Sequence, residues 1–282
     1  MPAFNTFKYN AGLFGSNSNG VTVYSSDMVV FNGYSLSDGV INTCTLIDDN
    51  APKRDLIDFK NPRSDGLGVV GDYWREKIIY LEGYIKGASW TATEAALETL
   101  KSSLRKREQY LDITRNGVVR RYLATWIEPD SVFKNRTGHD VNVVKWYIKF
   151  QVDTSFAMDR TYNSNNVLVS ASPGSIVPMN SGTYKALPIF VIVANATTTL
   201  SSNTIQVQNT TTNELIKWTG NMVTGDVLVF DSEAQSVTLN GVVVDFKGLF
   251  PTLDTGANTL IFTVDGGTFN LQCTTKWKNR YL

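Results

Sequence analysis

The second half of the chain constrains the fold most, because it is a succession of short β-forming segments separated by turn residues. Segments such as IFVIVA and DVLVFD are rich in β-branched and aromatic residues, and Gly, Asn or Pro bounds each of them. Asn240-Gly241 between two such segments favours a two-residue hairpin. Because no helical period separates the segments, the sequence predicts a β-sandwich of jelly-roll type.

The first half is also predicted to be mainly β, with one interruption. Its strand-like segments share β-branched and aromatic residues and lie at residues 78–85, 110–114, 118–126 and 141–152. Asn116-Gly117 favours a hairpin between two of them. Residues 91–109 instead place leucines 97, 100 and 104 at helical spacing behind a capping box, Thr91-x-x-Glu94. This single α-helix should lie across a sheet or close the mouth of a barrel.

Charge divides the chain of 282 residues into two parts. Residues 1–160 hold 20 of the 26 basic and 19 of the 26 acidic side chains, and none lies between Arg160 and Lys185. The uncharged stretch is rich in Asn, Ser, Pro and Gly, which marks a junction near residues 163–175. We therefore predict two domains, residues 1–165 and 166–282, each large enough for its own core.

The overall composition narrows the functional classes. A net charge of zero gives no global field toward nucleic acid or an anionic membrane. Two cysteines, Cys44 and Cys273, support neither a disulfide framework nor a zinc cluster. The first residues do not resemble a secretory signal and no apolar run is long enough to cross a bilayer, so we expect a soluble protein made in a cytoplasm, without metal or cofactor.

The motifs that could indicate a catalytic site are better interpreted as loops and turns. GLGVVG at residues 66–71 matches a dinucleotide-binding pattern, but no strand precedes it and no helix follows, so we predict a flexible glycine loop. His139 lies in a polar turn without a matching nucleophile motif. A glycan hydrolase needs two carboxylates across a cleft, for which the candidates, all in turn-like settings, are Asp48, Asp49, Asp226 and Asp231.

The order of these features resembles the distal tail proteins of bacteriophages with long non-contractile tails. The segments that carry the resemblance are REKIIYLEGYIKG at 75–87, the helix after it, YLDITRNGVVRRYLATW at 110–126, ALPIFVIVAN at 186–195, TGNMVTGDVLVFD at 219–231, VTLNG at 237–241 and LFPTLDTGANTLIFTV at 249–264. Their order and spacing across both halves of the chain make the match.

The resemblance implies a structural virion protein rather than an enzyme. Its N-terminal domain is expected to be a β-barrel or sandwich related to the tail tube, and its C-terminal domain a galectin-like β-sandwich. Members of the family form a hexameric ring that joins the tail tube protein to the tail-associated hub protein at the tail tip, and some anchor receptor-binding proteins or the baseplate. DNA then passes through the channel without specific binding, and the protein assembles in the host cytoplasm without a membrane.

The resemblance also implies roles for particular residues. Pro251, Gly256 and Asn258 are expected to support a turn at the entry to a sandwich strand. We predict that residues 48–72 form an extended arm toward a neighbouring subunit. The arm residues proposed for this contact are Lys53, Arg54, Arg63, Asp65, Gly66, Gly68 and Gly71. The outer side of the helix, with Lys101, Arg105 and Arg107, is a further candidate interface, or a phosphate-binding patch.

Three alternatives remain at this level. A carbohydrate-binding β-sandwich adhesion protein would stack sugars on Trp218 or Trp277. A glycan hydrolase would use the carboxylates named above. A tail-tube protein would resemble the first domain and account less well for the second.

Overall fold

The computed structural model describes residues 27–60, 67–127, 133–134, 142–152 and 154–282. The chain divides after Ala157 into two compact units. The elements of the first unit are β1 (Met28–Phe31), β2 (Tyr34–Ser35), β3 (Asn42–Asp48), β4 (Arg54–Lys60), β5 (Leu67–Trp74), β6 (Lys77–Lys86), α1 (Trp90–Leu104), β7 (Gln109–Arg115), β8 (Val118–Trp126), β9 (Phe133–Lys134) and β10 (Val143–Val152). β11 (Ala157–Met158) contains the division between the units.

The main sheet of the first unit is antiparallel, in the order β2-β1-β7-β8-β10-β6-β3, and β9 pairs with β10. All four strands predicted in this half are present. Asn116 and Gly117 both have positive φ in the turn between β7 and β8, as a tight hairpin of this kind requires. Within the described residues the path ends at β2 and β3, so the sheet is open rather than closed into a barrel.

The helix α1 begins and ends differently from the prediction. Ser89, in extended conformation, is the N-cap and accepts a hydrogen bond from the Ala92 nitrogen, so the expected capping box at Thr91 is not the one used. The helix ends at Leu104 because the chain soon turns into β7, with Glu108 at φ +51°. The three predicted leucines are buried, which confirms which face of the helix points inward.

A buried tryptophan organises the core of the first unit. Trp146 on β10 is fully buried and lies opposite Gly83 on β6. A Cβ atom built on Gly83 would come within 2.3 Å of the Trp146 ring and 2.2 Å of the Thr43 carbonyl oxygen. Gly83 is therefore required by the close approach of the ring and of strand β3.

The second unit is a β-sandwich with its core between two antiparallel sheets. The sheet orders are β12-β24-β15-β18-β19-β20 and β13-β23-β16-β17-β21, and β14 pairs with β22. Its strands are β12 (Asn163–Val169), β13 (Gly174–Ile176), β14 (Met179–Asn180), β15 (Ile189–Ala194), β16 (Thr199–Asn209), β17 (Glu214–Val223), β18 (Val227–Asp231), β19 (Ser236–Leu239), β20 (Val242–Val243), β21 (Lys247–Gly248), β22 (Gly256–Ala257), β23 (Leu260–Val264), β24 (Leu271–Trp277) and β25 (Arg280–Tyr281).

The stretch expected to be the domain junction contains strands of this sandwich. β12 pairs with β24 over seven residues, and β13 pairs with β23. Their sequences look like linker because both strands lie at sheet edges, where Asn and Ser can face solvent while alternate residues such as Val169 enter the core.

Candidate assembly surfaces

The segment expected to be an extended arm is a β-hairpin made of β4 and β5. The two strands pair only with each other within the described residues, and a register shift lies between Ile57 and Asp58. GLGVVG lies mostly within β5, so the predicted flexible loop is wrong in this part. The pattern was misleading because three glycines suggest a loop, whereas Val69 and Val70 between them favour a strand.

Ionic and aromatic contacts hold the base of this hairpin. The Asp55 carboxylate bonds the Arg75 guanidinium, lies 3.7 Å from the Lys53 ammonium group and accepts a hydrogen bond of 3.3 Å from the Tyr73 hydroxyl. The hydrogen bond from Arg75 holds the pKa of Asp55 below its usual range. Arg54 lies over the Trp74 ring, 5.5 Å from its centroid. Two of the predicted arm residues, Lys53 and Arg54, thus stabilise the hairpin itself.

Beyond its base, the hairpin exposes apolar side chains on both faces. Leu56 is 57% exposed and Ile57 is 52% exposed, although consecutive strand residues point to opposite faces. Val70 is 70% exposed and Tyr73 is 51% exposed on the other strand. An isolated two-stranded hairpin is marginally stable in water, and one that exposes aliphatic residues on both faces has the character of a contact surface.

The other predicted arm residues are glycines or lie outside the described residues. Gly68 and Gly71 are within β5, and a Cβ on Gly71 would meet only the tip of Ile57 at 4.0 Å. Arg63, Asp65 and Gly66 lie outside the described residues, as does His139.

The predicted basic interface on the helix is only partly on the helix. Lys101 forms an ion pair of 2.7 Å with Glu98, one turn away and also exposed to solvent. Arg105 is the C-cap, and Arg107 lies beyond the helix, where it lines a surface pocket with Glu108 and Thr125. The three side chains are exposed or nearly so, and an exposed pair of this kind adds little stability.

Asn258 forms a closed hydrogen-bond network in the second unit. The fully buried amide donates to the carbonyl oxygens of Asp254 at 2.7 Å and Gly256 at 3.1 Å. Its Oδ1 accepts from the Asp254 nitrogen at 2.9 Å and from Nδ2 of Asn209 at 3.0 Å. Gly256 has a φ of +89°, which favours glycine, and the carbonyl of buried Pro251 accepts from the Ser232 hydroxyl at 3.1 Å.

Trp218 and Trp277 do not form a sugar-binding surface. Each is only 4% exposed and belongs to the hydrophobic core between the two sheets. The Trp218 ring lies over Gly220, and the Trp277 indole nitrogen donates to Asn279 at 3.1 Å. Both residues face inward because they occupy the core-facing positions of β17 and β24. The alternative that assigned sugar stacking to these two rings is therefore wrong for both.

The carboxylates named as catalytic candidates make structural contacts. Asp49 pairs with Arg115 at 2.8 Å and accepts a hydrogen bond of 3.3 Å from the Tyr122 hydroxyl. Asp226 accepts hydrogen bonds from the Val223 nitrogen and the Asn240 amide, which lower the pKa of its carboxyl group. A general acid needs the opposite shift. Asp48 and Asp231 accept hydrogen bonds within their own turns.

Two further findings concern metals and membranes. The described residues contain no group of three or more His, Cys, Asp or Glu side chains placed to hold a metal ion. No helix in the described part of the chain is long and apolar enough to cross a membrane. Cys44 and Cys273 are free thiols in different units, and burial raises the pKa of each to about 12.

The β-sandwich of the second unit is similar to a known protein family. Residues 181–281 match the family model described as siphovirus-type tail component, C-terminal domain. This part of the second unit is therefore similar to that phage tail family. The match covers most of the second unit, which we name the tail component domain after it, and it confirms the resemblance to distal tail proteins that the sequence motifs indicated. A search of curated protein sequences finds no match.

Solved structures extend the likeness to the first unit. The chain is similar to the Dit protein (gp 19.1) of phage SPP1, described as a paradigm of hub adsorption apparatus in phages that infect Gram-positive bacteria. The TM-score is 0.64 at 13% identity, over 91% of this chain and 99% of that one. The chain therefore has the fold of the Dit protein over most of its length. The phage P2 baseplate in its activated conformation with Ca is also similar, at 8% identity and a TM-score of 0.44, over 90% of this chain and 98% of that one.

The sequence analysis did not predict one apolar surface of the tail component domain. The solvent side of its six-stranded sheet carries aliphatic residues on its central strands β15 and β18, namely Ile189, Val191, Val193, Val227 and Val229, all only partly buried. A signal was present, because IFVIVA and VLVF are continuous apolar runs rather than alternating ones. Continuous runs are typical of strands covered on both faces.

Proposed function

We propose that the protein is a distal tail hub, in which six copies close a ring that connects the tail tube to the tail tip. The tail component domain and the Dit fold support a place in the tail. The single observation that carries ring formation is the β4–β5 hairpin, which exposes apolar side chains on both faces and pairs with no other strand of the described chain. Such a hairpin gains most of its stability from a surface outside its own unit.

A neighbouring copy is the occupant that best suits this hairpin. A ring is built from one heterologous contact repeated by rotation, so each copy offers one hairpin and receives another. Leu56, Ile57 and Val70 supply the apolar centre of this contact, and the charges of Lys53, Asp55 and Arg75 at the base supply its polar rim. The proposed contact therefore has the usual composition of a protein interface.

In this proposal the first unit lines the channel of the ring. The ring binds the tail tube protein on one side and the tail-associated hub or tip protein on the other. DNA crosses the channel without specific contacts, as the zero net charge of the chain suggests. Receptor-binding proteins or baseplate components are candidate partners of the tail component domain, and the site of action is the virion tail tip.

The experiment that tests the proposal changes the hairpin alone. A Leu56→Asp, Val70→Asp double variant places two carboxylates in the proposed contact, where they would be buried at high cost. We expect six-fold rings from the unmodified protein in light scattering and electron microscopy, and monomers from the variant. Because both side chains are exposed in the single copy, thermal unfolding of the monomer, measured for both proteins at a concentration too low for rings, should change little.

Val40→Asp is the matched control, since Val40 is 81% exposed in the same unit but outside the hairpin. This control should still form rings. Intact rings from the double variant would rule out the hairpin as the ring contact. A native protein that stays monomeric at every concentration would contradict spontaneous ring closure.

A further inference from the structure

The two solvent faces of the sandwich differ in chemistry. On the six-stranded sheet, the outward residues of the two central strands are Ile189, Val191 and Val193 on β15 and Val227 and Val229 on β18. On the five-stranded sheet, the corresponding positions carry mainly polar side chains, namely Thr204, Gln206, Gln208, Lys217, Thr219 and Thr263, with Leu215, Ile261 and, at the end of β17, Val223 as apolar exceptions.

An outward sheet face is normally polar, as it is on the five-stranded sheet. Valines at the middle of the other face leave apolar area in water, and β-branched side chains suit a flat contact with a second sheet. We call this surface the valine face and define it by Ile189, Val191, Val193, Val227 and Val229.

We propose that the valine face binds the valine face of a second copy of this chain, about a two-fold axis that runs along β15. The register of the sheet supports this axis. Ile189 lies opposite Lys276 on one side and opposite Asp231 on the other. Lys276 and Asp231 therefore flank the central strand at the same level, one strand away in opposite directions.

A two-fold axis along β15 exchanges these flanking positions. Rotation places β24 of one copy over β18 of the other without a shift along the strand, so Lys276 faces Asp231 of the partner subunit, and the reverse pair forms as well. Lys276 is exposed and has no ion pair within the described residues. The arrangement is self-complementary, as an isologous contact requires.

The next row of the sheet is compatible with the same axis. Asn166, Thr274, Val191, Val229 and Thr238 lie side by side across β12, β24, β15, β18 and β19. Under the rotation Val191 faces its own copy, Thr274 faces Val229, and Asn166 faces Thr238. Apolar side chains thus meet at the centre and polar ones at the rim, in the usual order for an interface.

The area of the valine face determines how strong a contact between two copies we expect. Five strands at about 4.8 Å spacing and five residues at about 3.4 Å each make a patch of roughly 24 Å by 17 Å. Two such patches together are below the ~1,200 Å² of standard interfaces, so the contact belongs to the weak class.

The first test is cross-linking through Val191. Facing sheets pack about 10 Å apart, too far for a direct disulfide, so a short bismaleimide is the probe for a Val191→Cys variant of the full chain. We expect a covalent dimer, because only a residue on the axis faces its own copy. The native thiols, Cys44 and Cys273, are buried and do not compete. Gln206→Cys, on the polar face, is the control and should give no more dimer than the unmodified chain.

The second test reverses one charge. Lys276→Glu in the Val191→Cys background sets a carboxylate against Asp231 of the partner subunit at both symmetry-related positions, and it should lower the dimer yield about fivefold or more. Adding Asp231→Lys should restore the yield. Because Asp231 also accepts hydrogen bonds from the nitrogens of Glu233 and Ala234, thermal unfolding of each variant is measured alongside.

Equal cross-linking at positions 191 and 206, or a yield that Lys276→Glu leaves unchanged, would overturn the proposal. The result does not depend on the ring. The hairpin variant Leu56→Asp, Val70→Asp in the Val191→Cys background should lose rings and keep the cross-link, so failure of one proposal is distinguishable from failure of the other.

Discussion

Two glycine-containing segments differ in what their side chains contact. They are the β4–β5 hairpin of the first unit and the turn from Asp254 to Asn258 in the second unit. In the turn, the Asn258 amide makes four hydrogen bonds, and Asn209 beside it also donates to the Thr252 carbonyl at 2.6 Å. In the hairpin, Leu56, Ile57 and Val70 project into solvent.

The difference separates residues that maintain the fold from residues that serve assembly. A turn that closes every hydrogen bond internally has nothing left to offer a partner, so its substitution should lower stability. A hairpin that leaves apolar area in water has little to lose from substitution as a monomer, so its substitution should alter association instead.

The largest effect is expected from Asn258→Ala. The change leaves the Asp254 nitrogen without its acceptor and removes both donors to the carbonyls of Asp254 and Gly256 in a fully buried site. Unsatisfied buried groups cost ~1–3 kcal/mol each, so we expect a loss of about 4 kcal/mol in the free energy of unfolding, measured by denaturant titration.

Asn166→Ala is the control for this change, because Asn166 is an exposed asparagine in the same unit. It should cost no more than about 0.5 kcal/mol. If Asn258→Ala were equally mild, the hydrogen bonds of this turn would not contribute to the stability of the fold.

The next largest effect concerns the glycines beneath the two tryptophans. A Cβ on Gly83 would come within 2.3 Å of Trp146 in the first unit, and a Cβ on Gly220 would come within 2.3 Å of Trp218 in the second. Gly→Ala at either position overpacks the core and should cost about 3 kcal/mol. Gly71→Ala in the hairpin, with no atom closer than 4.0 Å, should cost less than about 1 kcal/mol.

Each glycine variant should loosen only its own unit. Cys44 lies in the first unit and Cys273 in the second, and burial raises the pKa of both thiols to about 12, so neither reacts readily at neutral pH in the folded state. Gly83→Ala should therefore speed labelling of Cys44, and Gly220→Ala that of Cys273, in mass-resolved thiol labelling. Equal acceleration of both thiols by either variant would mean that the units unfold together.

Local patterns predicted the elements well where one physical signal dominates. Asn116-Gly117 and Asn240-Gly241 adopt positive φ in their hairpins, and leucines 97, 100 and 104 are buried at helical spacing. Asn258 was assigned to its turn from the Gly-x-Asn pattern of the tail family. These features depend on a few neighbouring residues, so the sequence contains the whole signal.

The features that the sequence could not predict depend on contacts between residues that are far apart in the chain. Whether Trp218 faces solvent or core follows from which side of β17 meets the second sheet, and the segment alone does not state this. β12 and β13 look like linker because edge strands tolerate Asn, Ser and Gly. The pairing that sets Lys276 and Asp231 on either side of Ile189 joins residues more than 40 positions apart, and only the folded sheet shows it.

The smallest effect is expected at the start of α1, and it sharpens the assignment of the cap. Ser89 accepts a hydrogen bond from the Ala92 nitrogen at 3.2 Å, so Ser89→Ala removes the capping acceptor of that nitrogen and should cost about 1 kcal/mol. Thr91→Ala tests the capping box expected from the sequence and should cost less, since Thr91 lies within the helix. Denaturant unfolding of the two variants decides between them, and a larger loss from Thr91→Ala would move the helix start by two residues. Neither change alters the hairpin, so both variants should keep the native association state.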